Sequence, residues 1–336
     1  MRSSKTRPLL IIMSQSDSIP VLAIGVPCYN EQEVLPLTNP ELLATLDRLA
    51  TAGKISPKSF ILYVNDGSRD ATWEIIERLT EEFPGRVAGL DLAANVGHQK
   101  ALLAGLEKGA EEADLTVSID ADLQDDTAAI DRMVDQALEG ADIVYGIRQS
   151  RATDTWFKRN TALAFYRLMK RLGVKSEYNH ADVRLMSRRA VEELMRYGEV
   201  NLFLRGIVPL IGYRQGRVYY DRKERQAGES KYPLKKMLAF AVDGITSFSV
   251  KPVRMVFFMG IIFMLVALGI GIYVAIRHLT GHTTVGWTSL VLSVWFCSGV
   301  ILLGLGIVGE YIGKIYTEVK HRPRYNPSRY LRRPHP

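Results

Sequence analysis

Apolar and polar residues alternate in blocks along the first half of the chain. Val21–Pro27 (VLAIGVP) is a short apolar run ending in polar CYNE, the pattern of a buried parallel strand whose carboxyl end opens into a loop. Leu35–Ala52 carries apolar residues at helical spacing, with Gly53 as a stop. Phe60–Val64 predicts a second strand, followed by NDGSRD and a helix over Ala71–Phe83. Val87–Leu92 is a third strand with a helix over His98–Glu112 behind it. Leu115–Ile119 is a fourth, running into DADLQDD and a helix over Thr127–Glu139, and Ile143–Tyr145 is a fifth. Strand–loop–helix repeated this regularly predicts a doubly wound, mostly parallel α/β sheet. Ligands of such sheets bind beyond the carboxyl ends of the strands, where Tyr29–Glu31, Asn65–Asp70 and Asp120–Asp125 all fall.

The pattern changes after Arg148. Helices rich in Arg and aromatics are expected, then a strand at Val218–Arg222. Pro233–Ser249 places apolar residues on one face beside Lys235 and Lys236, which suits a helix lying in a membrane interface and equally a core helix. Met255–Ile276 and Val285–Gly309 contain no charge, and each is long enough to cross a bilayer about 30 Å thick. The segment between them, Arg277–Thr284, has one Lys/Arg, whereas both outer flanks are basic. By the positive-inside rule this predicts a two-helix hairpin in the inner or plasma membrane, with the catalytic part and both termini cytosolic. The expected organisation is an N-terminal extension (1–20), a catalytic domain (21–232), an interfacial helix (233–252), two spans (253–312) and a basic cytosolic tail (313–336).

Composition narrows the class. With 336 residues, 47% hydrophobic and 24% charged, the chain is too apolar to be disordered and too charged for a polytopic carrier. The net charge of +7 is concentrated beside the apolar stretches, which favours a membrane surface over nucleic acid. Cys28 and Cys297 are the only cysteines, so neither a disulfide framework nor a zinc motif is encoded. The basic N-terminus precedes an apolar run too short for a signal peptide.

The sharpest chemical signal is Asp120-Ala121-Asp122-Leu123-Gln124-Asp125. Alternate residues at a strand end point the same way, so Asp120, Asp122 and Gln124 converge from one side. Two carboxylates and an amide oxygen suit Mg²⁺ or Mn²⁺ with coordination positions left for substrate phosphates. An EF-hand is excluded, because Asp125 replaces the turn glycine and Asp131 the bidentate Glu. Asn65-Asp66-Gly67-Ser68 is as good an Asx-type turn as a site, and Pro27–Glu31 is equally open. Gly97-His98-Gln99-Lys100 would suit a helix N-terminus facing phosphate, with His98 by itself more structural than catalytic. There is no GxGxxG, P-loop or GxSxG motif, which argues against dinucleotide, ATP and acyl-hydrolase chemistry.

Taken together, VPCYNE, VNDGS, NVGHQKAL, DADLQDD, RLMSRR, FLRG and RQAGESKY, in this order before two apolar spans, closely resemble the membrane-bound polyprenyl-phosphate glycosyltransferases. These belong to inverting glycosyltransferase family 2, have a GT-A (Rossmann-like) fold, and include bactoprenol glucosyltransferases and dolichol-phosphate mannose synthases. The resemblance extends from Val21 to Arg322. It implies transfer of one sugar from a nucleotide sugar to a polyprenyl phosphate, undecaprenyl phosphate in a bacterium. By the same resemblance Pro27, Tyr29, Glu31 and Asp66 line the base and ribose pocket, Asp120 lies near the nucleotide and sugar, and Asp122 and Gln124 hold the metal. Arg222, Arg225, Ser230 and Lys231 resemble the segment that closes over the diphosphate, and Arg148 and Arg159 resemble the acceptor-phosphate binders. Asp182, in HADVR, matches an acidic residue near the reacting sugar. The family usually reads GDFR there, so Ala181 and Val183 are departures; Asn65 stands where many relatives have Asp, and Val96 where many have an aromatic.

UDP-glucose is the first expectation for the donor, with mannose from GDP-mannose, galactose and an aminoarabinose-type sugar as alternatives. A processive polysaccharide synthase is disfavoured because no QxxRW motif is present. An inactive membrane scaffold is disfavoured by the intact motif series. A two-helix hairpin is too small to enclose a transport path, which implies a separate flippase. Gly299, Gly304, Gly306 and Gly309 would permit self-association through the spans.

Overall fold

The computed structural model describes residues 19–148, 180–200, 203–221, 251–280 and 286–334. Four short apolar runs form the centre of the sheet: β1 (Leu22–Cys28), β2 (Phe60–Asn65), β3 (Val87–Leu92) and β4 (Leu115–Ser118). All are parallel, in the order β4-β1-β2-β3, with Ala23 opposite Phe60 and Gly25 opposite Ser118. Their side chains are buried on both faces, which is why the sequence shows unbroken apolar runs instead of alternation. α1 (Leu35–Thr51), α2 (Thr72–Glu82) and α4 (Ala128–Leu138) cover one face through Leu42, Leu46, Ile76, Ile130 and Met133. α3 (His98–Glu112) covers the other through Leu102, Leu103 and Leu106.

Beyond β4 the parallel order is interrupted. β5 (Ile143–Arg148) does not lie beside β4, because β6 (His180–Ser187) inserts between them and runs antiparallel to both. β7 (Gln215–Tyr220) closes this edge, parallel to β5 and starting three residues before the expected strand. β6 leads directly into α5 (Arg188–Met195), with the Ser187 hydroxyl capping the helix by accepting from Ala190 N–H. α6 (Leu204–Ile207), continued by a tight helical turn at Val208–Ile211, completes the α3 side of the core. The insertion is held at its end by buried Asp142, whose carboxylate accepts from Ser187 Oγ at 2.9 Å and from two nitrogens of the Arg189 guanidinium. The fold is thus a GT-A-like α/β domain with a mostly parallel sheet.

Two long helices follow. α7 (Lys251–Leu279) and α8 (Trp287–Val319) have 29 and 33 residues, spanning about 43 and 50 Å at 1.5 Å per residue. Both contain windows apolar enough to cross a membrane, Val253–Ile270 and Phe296–Val319, and neither window is buried inside the chain. They pack as an antiparallel hairpin, with Phe263 and Phe296 rings 5.6 Å apart. A Cβ at Gly304 would lie 3.1 Å from Val256 Cγ1, so this glycine serves close approach within the hairpin. Gly299, Gly306 and Gly309 face open space.

The tail departs from the expected organisation. Residues 327–332 are not part of a separate basic tail but form β8 (Pro327–Arg332), antiparallel to β3 at the sheet's far edge. The physical reason is an unpaired edge and complementary charge. β8 supplies β3 with a ladder, while Arg329 pairs with Glu77, Arg332 with Glu112 and Arg333 with Glu81. Basic residues that read as membrane-flanking are therefore neutralised by acids of α2 and α3.

The Asp142 cluster generates a stability prediction. Arg189→Ala leaves a buried carboxylate with Ser187 as its remaining side-chain donor and should cost about 1–3 kcal/mol. Thermal unfolding in detergent should show a lowered Tm, with a smaller loss for Ser187→Ala.

Candidate active site

The strand order places the loops after β1, β2, β3 and β4 side by side at one end of the sheet. The first two are joined by hydrogen bonds. Asn30 N–H donates to Ser68 Oγ at 3.0 Å, Arg69 N–H to Asn30 Oδ1 at 2.9 Å, and Glu31 N–H to Thr72 Oγ1 at 2.9 Å. Asn30 takes a left-handed backbone conformation (φ 55°), which asparagine tolerates better than most residues. Pro27 ends the apolar part of β1, and Tyr29 follows it, exposed at the loop's surface. The turn reading of NDGSRD is realised by Asn65 and Asp70: Asn65 Oδ1 accepts from Ser68 N–H and Asp70 Oδ1 from Thr72 N–H. Asp66 lies within the first of these turns, but its side chain points away from it.

Asp66 is 3% exposed and points toward the loop between β3 and α3. Its carboxylate accepts from Val96 N–H at 2.7 Å and Gly97 N–H at 3.0 Å, while Asn95 Nδ2 donates to its carbonyl at 3.0 Å. The two amides immediately before α3 are thus taken by a carboxylate of the chain. Desolvation pushes the Asp66 carboxyl above its ordinary 3.8; the two amides and His98 pull it down without cancelling that effect. The folded state therefore holds this proton more tightly than the unfolded state. Its stabilising contribution is present below 3.8 and is lost as pH rises through the folded value, so ionised Asp66 is kept at a cost in stability.

Gly67 lets the two loops meet. Its φ is +61°, and a Cβ there would lie 2.6 Å from Asn95 N. Buried Asn65, the departure noted above, donates to Asp91 Oδ1 at 2.7 Å. An aspartate in its place would set two carboxylates against each other.

The DADLQDD loop turns at Leu123, whose φ of 51° is unusual for a branched apolar residue and marks local strain. Asp120, Asp122 and Gln124 are half-buried, whereas the intervening Ala121, Leu123 and Asp125 are buried. The buried residues hold the loop. Thr38 Oγ1 of α1 donates to Ala121 O at 2.6 Å, and Tyr220 OH of β7 donates to Asp125 Oδ1 at 2.7 Å. Asp122 Oδ1 accepts from Gln124 N–H at 3.2 Å. His98 Nε2 stands 3.6 Å from Asp120 Oδ1, so the first residue of α3 lies between Asp66 and Asp120. Among the described residues no cluster of three or more His, Cys, Asp or Glu could enclose a metal. Asp122 and Gln124 supply two hard oxygen donors on a fixed turn, which fits a cation that takes its remaining ligands from a substrate diphosphate and water.

The remaining predicted residues are less fully placed. Asp182 lies in β6 and Arg148 ends β5, neighbouring strands in the sheet. Arg159, Arg222, Arg225, Ser230 and Lys231 lie outside the described residues. Arg184, two residues after Asp182, is fully buried at a register position opposite both Ser118 and Tyr145. Period-two alternation from Asp182 would have singled it out. Tyr220 is marked only by the buried alternation Val218, Tyr220, and the Asp66 donors are backbone amides with no side-chain signature. RLMSRR instead serves packing, since Ser187 and Arg189 bind Asp142 and Arg188 donates to Ala113 O. FLRG is tied to α3 through Leu204 N–H and Gln99 Oε1, 2.9 Å apart.

The chain is similar to known proteins over most of its length. The sequence profile described as glycosyl transferase family 2 matches residues 23–195. The uncharacterized glycosyltransferase YkoT of Bacillus subtilis is 55% identical over 93% of this chain and 92% of its own. The bactoprenol glucosyl transferase of Shigella phage SfV is 38% identical over 90% of this chain and 97% of its own. Among solved structures, a mannosyltransferase from Pyrobaculum calidifontis in complex with GDP-Man and Mn²⁺ overlaps 91% of this chain and 86% of its own, at 14% identity and a TM-score of 0.43.

The packing of Gly67 on Asn95 makes a direct prediction. Gly67→Ala combines a strained φ with a backbone clash and should cost roughly 1–3 kcal/mol. Hydrogen exchange should quicken at Val96 and Gly97, with the core of α4 unchanged.

Proposed function

This chain belongs to glycosyltransferase family 2, and on that premise we propose that it transfers a single sugar from a nucleotide sugar to polyprenyl phosphate, with inversion, at the cytosolic membrane face. The observation that carries the reading is the convergence of Asp66, His98, Asp120 and the Asp122–Gln124 turn at the carboxyl end of the sheet, in a chain with two candidate spans. The bactoprenol glucosyl transferase relative supports undecaprenyl phosphate as acceptor and UDP-glucose as first donor. The same reaction with GDP-mannose, a galactose donor or an aminoarabinose-type donor differs only in the sugar.

In this reading Pro27, Tyr29, Glu31 and Asp66 receive the base and ribose. Asp120 is a catalytic carboxylate near the nucleotide and sugar, and Arg222, Arg225, Ser230 and Lys231 close over the diphosphate. A divalent cation, Mg²⁺ or Mn²⁺, held by Asp122 and Gln124 would supply positive charge to that diphosphate. Arg148 and Arg159 grip the lipid phosphate, for which guanidinium forks are well shaped. A phosphate monoester, with a second pKa of about 6, is largely dianionic at pH 7. One of its oxygens attacks the anomeric carbon while the bond from that carbon to the diphosphate breaks. The nucleoside diphosphate leaves with the electron pair, and no proton has to be removed. Asp182 then acts as an orienting group, or as a carboxylate that stabilises positive charge developing on the sugar, before it acts as a base. Product flipping falls to a separate protein, and the open glycine face of α8 offers a surface for self-association.

Transfer from a panel of labelled UDP- and GDP-sugars to polyprenyl phosphate in detergent tests the reading directly. One labelled lipid should form from one donor and disappear with EDTA; no product from any donor would overturn it. Asp122→Ala should lower turnover roughly 10²-fold or more while the protein remains folded. Asp182→Asn should lower kcat by a similar order with little change in donor KM. Near-normal turnover in that variant would remove Asp182 from the chemistry.

A further inference from the structure

The carboxyl-terminal strand is at the opposite end of the sequence from the donor-site loops, yet the sheet brings it to the base of one of them. The β3–β8 ladder runs from Ala88 opposite Arg332 to Leu92 opposite Pro327. It ends where Ala93 N–H donates to Asn326 O at 2.9 Å. The residues that follow Ala93 are the loop around Asp66. Ala94 and Asn95 lie against Gly67, and Val96 and Gly97 donate to the Asp66 carboxylate. His98, beside Asp120, comes next. Loop 93–97 is therefore clamped at one end by Asp66 and at the other by the tail.

The side chains of β8 hold it on the sheet independently of that ladder. Tyr330 OH donates to Glu112 Oε1 at 2.6 Å, Arg332 pairs with the same carboxylate, and Lys108 lies 4.2 Å above the Tyr330 ring. Burial alone would raise the Glu112 carboxyl, but Tyr330, Arg332 and Lys108 together hold it below its ordinary range. The stability this group adds is present above its unfolded value and is lost as pH falls through the folded one. The approach to β8 is tied down as well. Glu318, near the end of α8, accepts from Val200 N–H at 2.8 Å, and Arg324 donates to Tyr197 O. Only residues 320–326 separate α8 from β8.

We infer that β8 is a positioning element of the donor site: docked on β3, it fixes loop 93–97 and, through that loop, Asp66 and His98. The nucleotide pocket is then complete only when the chain has returned from the apolar hairpin to the sheet. The inference rests on the assignment of Asp66 and Asp120 to the donor pocket. Asn326, Tyr330 and Arg332 touch no substrate and act through the loop. A tail serving only as a lipid-surface anchor would leave the donor pocket indifferent to its docking.

The test uses the full-length protein in lipid nanodiscs as wild type, Glu112→Arg, Arg332→Glu and the double charge swap. A fifth variant truncated after Arg322 is the harsher case. Hydrogen exchange over residues 93–97, donor KM, acceptor KM and kcat are measured in each. Each single reversal should quicken exchange over 93–97 and raise donor KM about fivefold or more, with acceptor KM nearly unchanged. The double swap should restore both in part, since Lys108 and Tyr330 also contact position 112. Wild-type exchange and donor KM in both single variants would overturn the inference, as would a raised donor KM with wild-type exchange over 93–97. If wild type transfers sugar from no donor, the proposed function fails instead, and the exchange measurement still decides whether β8 holds the loop.

Discussion

A carboxylate buried as deeply as Asp66 must find donors inside the protein, and it draws them from a different crossover connection. That requirement organises the whole end of the sheet. The amides of Val96 and Gly97 must stand over the end of β2, so the loop after β3 must lean inward, and Gly67 must lack a side chain to let it. With the loop in that place, α3 begins at His98 and stands beside Asp120. His98 and Asp120, from separate connections, are thereby held 3.6 Å apart by hydrogen bonds in which neither takes part. The cost of desolvating Asp66 is the kind of local compromise expected where polar groups are held ready for a ligand.

The two halves of the sheet were unequally legible in the sequence. β1 to β4 announce themselves because a strand buried on both faces reads as an apolar run, and each run ends in polar residues. The acid loop was legible for the same reason, since Asp120, Asp122 and Gln124 follow such a run directly. β6 and β8 carry no comparable signal. HADVRLMS and PSRYLR mix charged and apolar residues, and their identity as strands depends on neighbours far away in the chain. The arginines of β8 were read against the nearest feature in sequence, the apolar hairpin, whereas their partners Glu77, Glu81 and Glu112 lie in helices near the start. Backbone donors such as Val96 N–H leave no mark in a sequence, so the surroundings of Asp66 could be learned only from coordinates.

The antiparallel insertion has its own role. A continued parallel order would have put β5 next to β4, whereas β6 separates them and sets the buried Arg184 at a register position between Ser118 and Tyr145. Tyr220 then reaches from β7 to Asp125, so the far edge of the sheet supports the same loop that α1 supports through Thr38. The acid loop is braced from both sides by Thr38 and Tyr220, residues that carry no charge.

The position of β8 also bears on the order in which the protein is made. β3 is an edge strand until β8 pairs with it, and an uncovered edge is a template for wrong pairing. Since β8 lies after both long apolar helices, a nascent chain carries that open edge until both helices have been made. The sheet edge is sealed by a segment made after both long helices. A chain cut short before Pro327 keeps the β3 edge unpaired and open to wrong pairing.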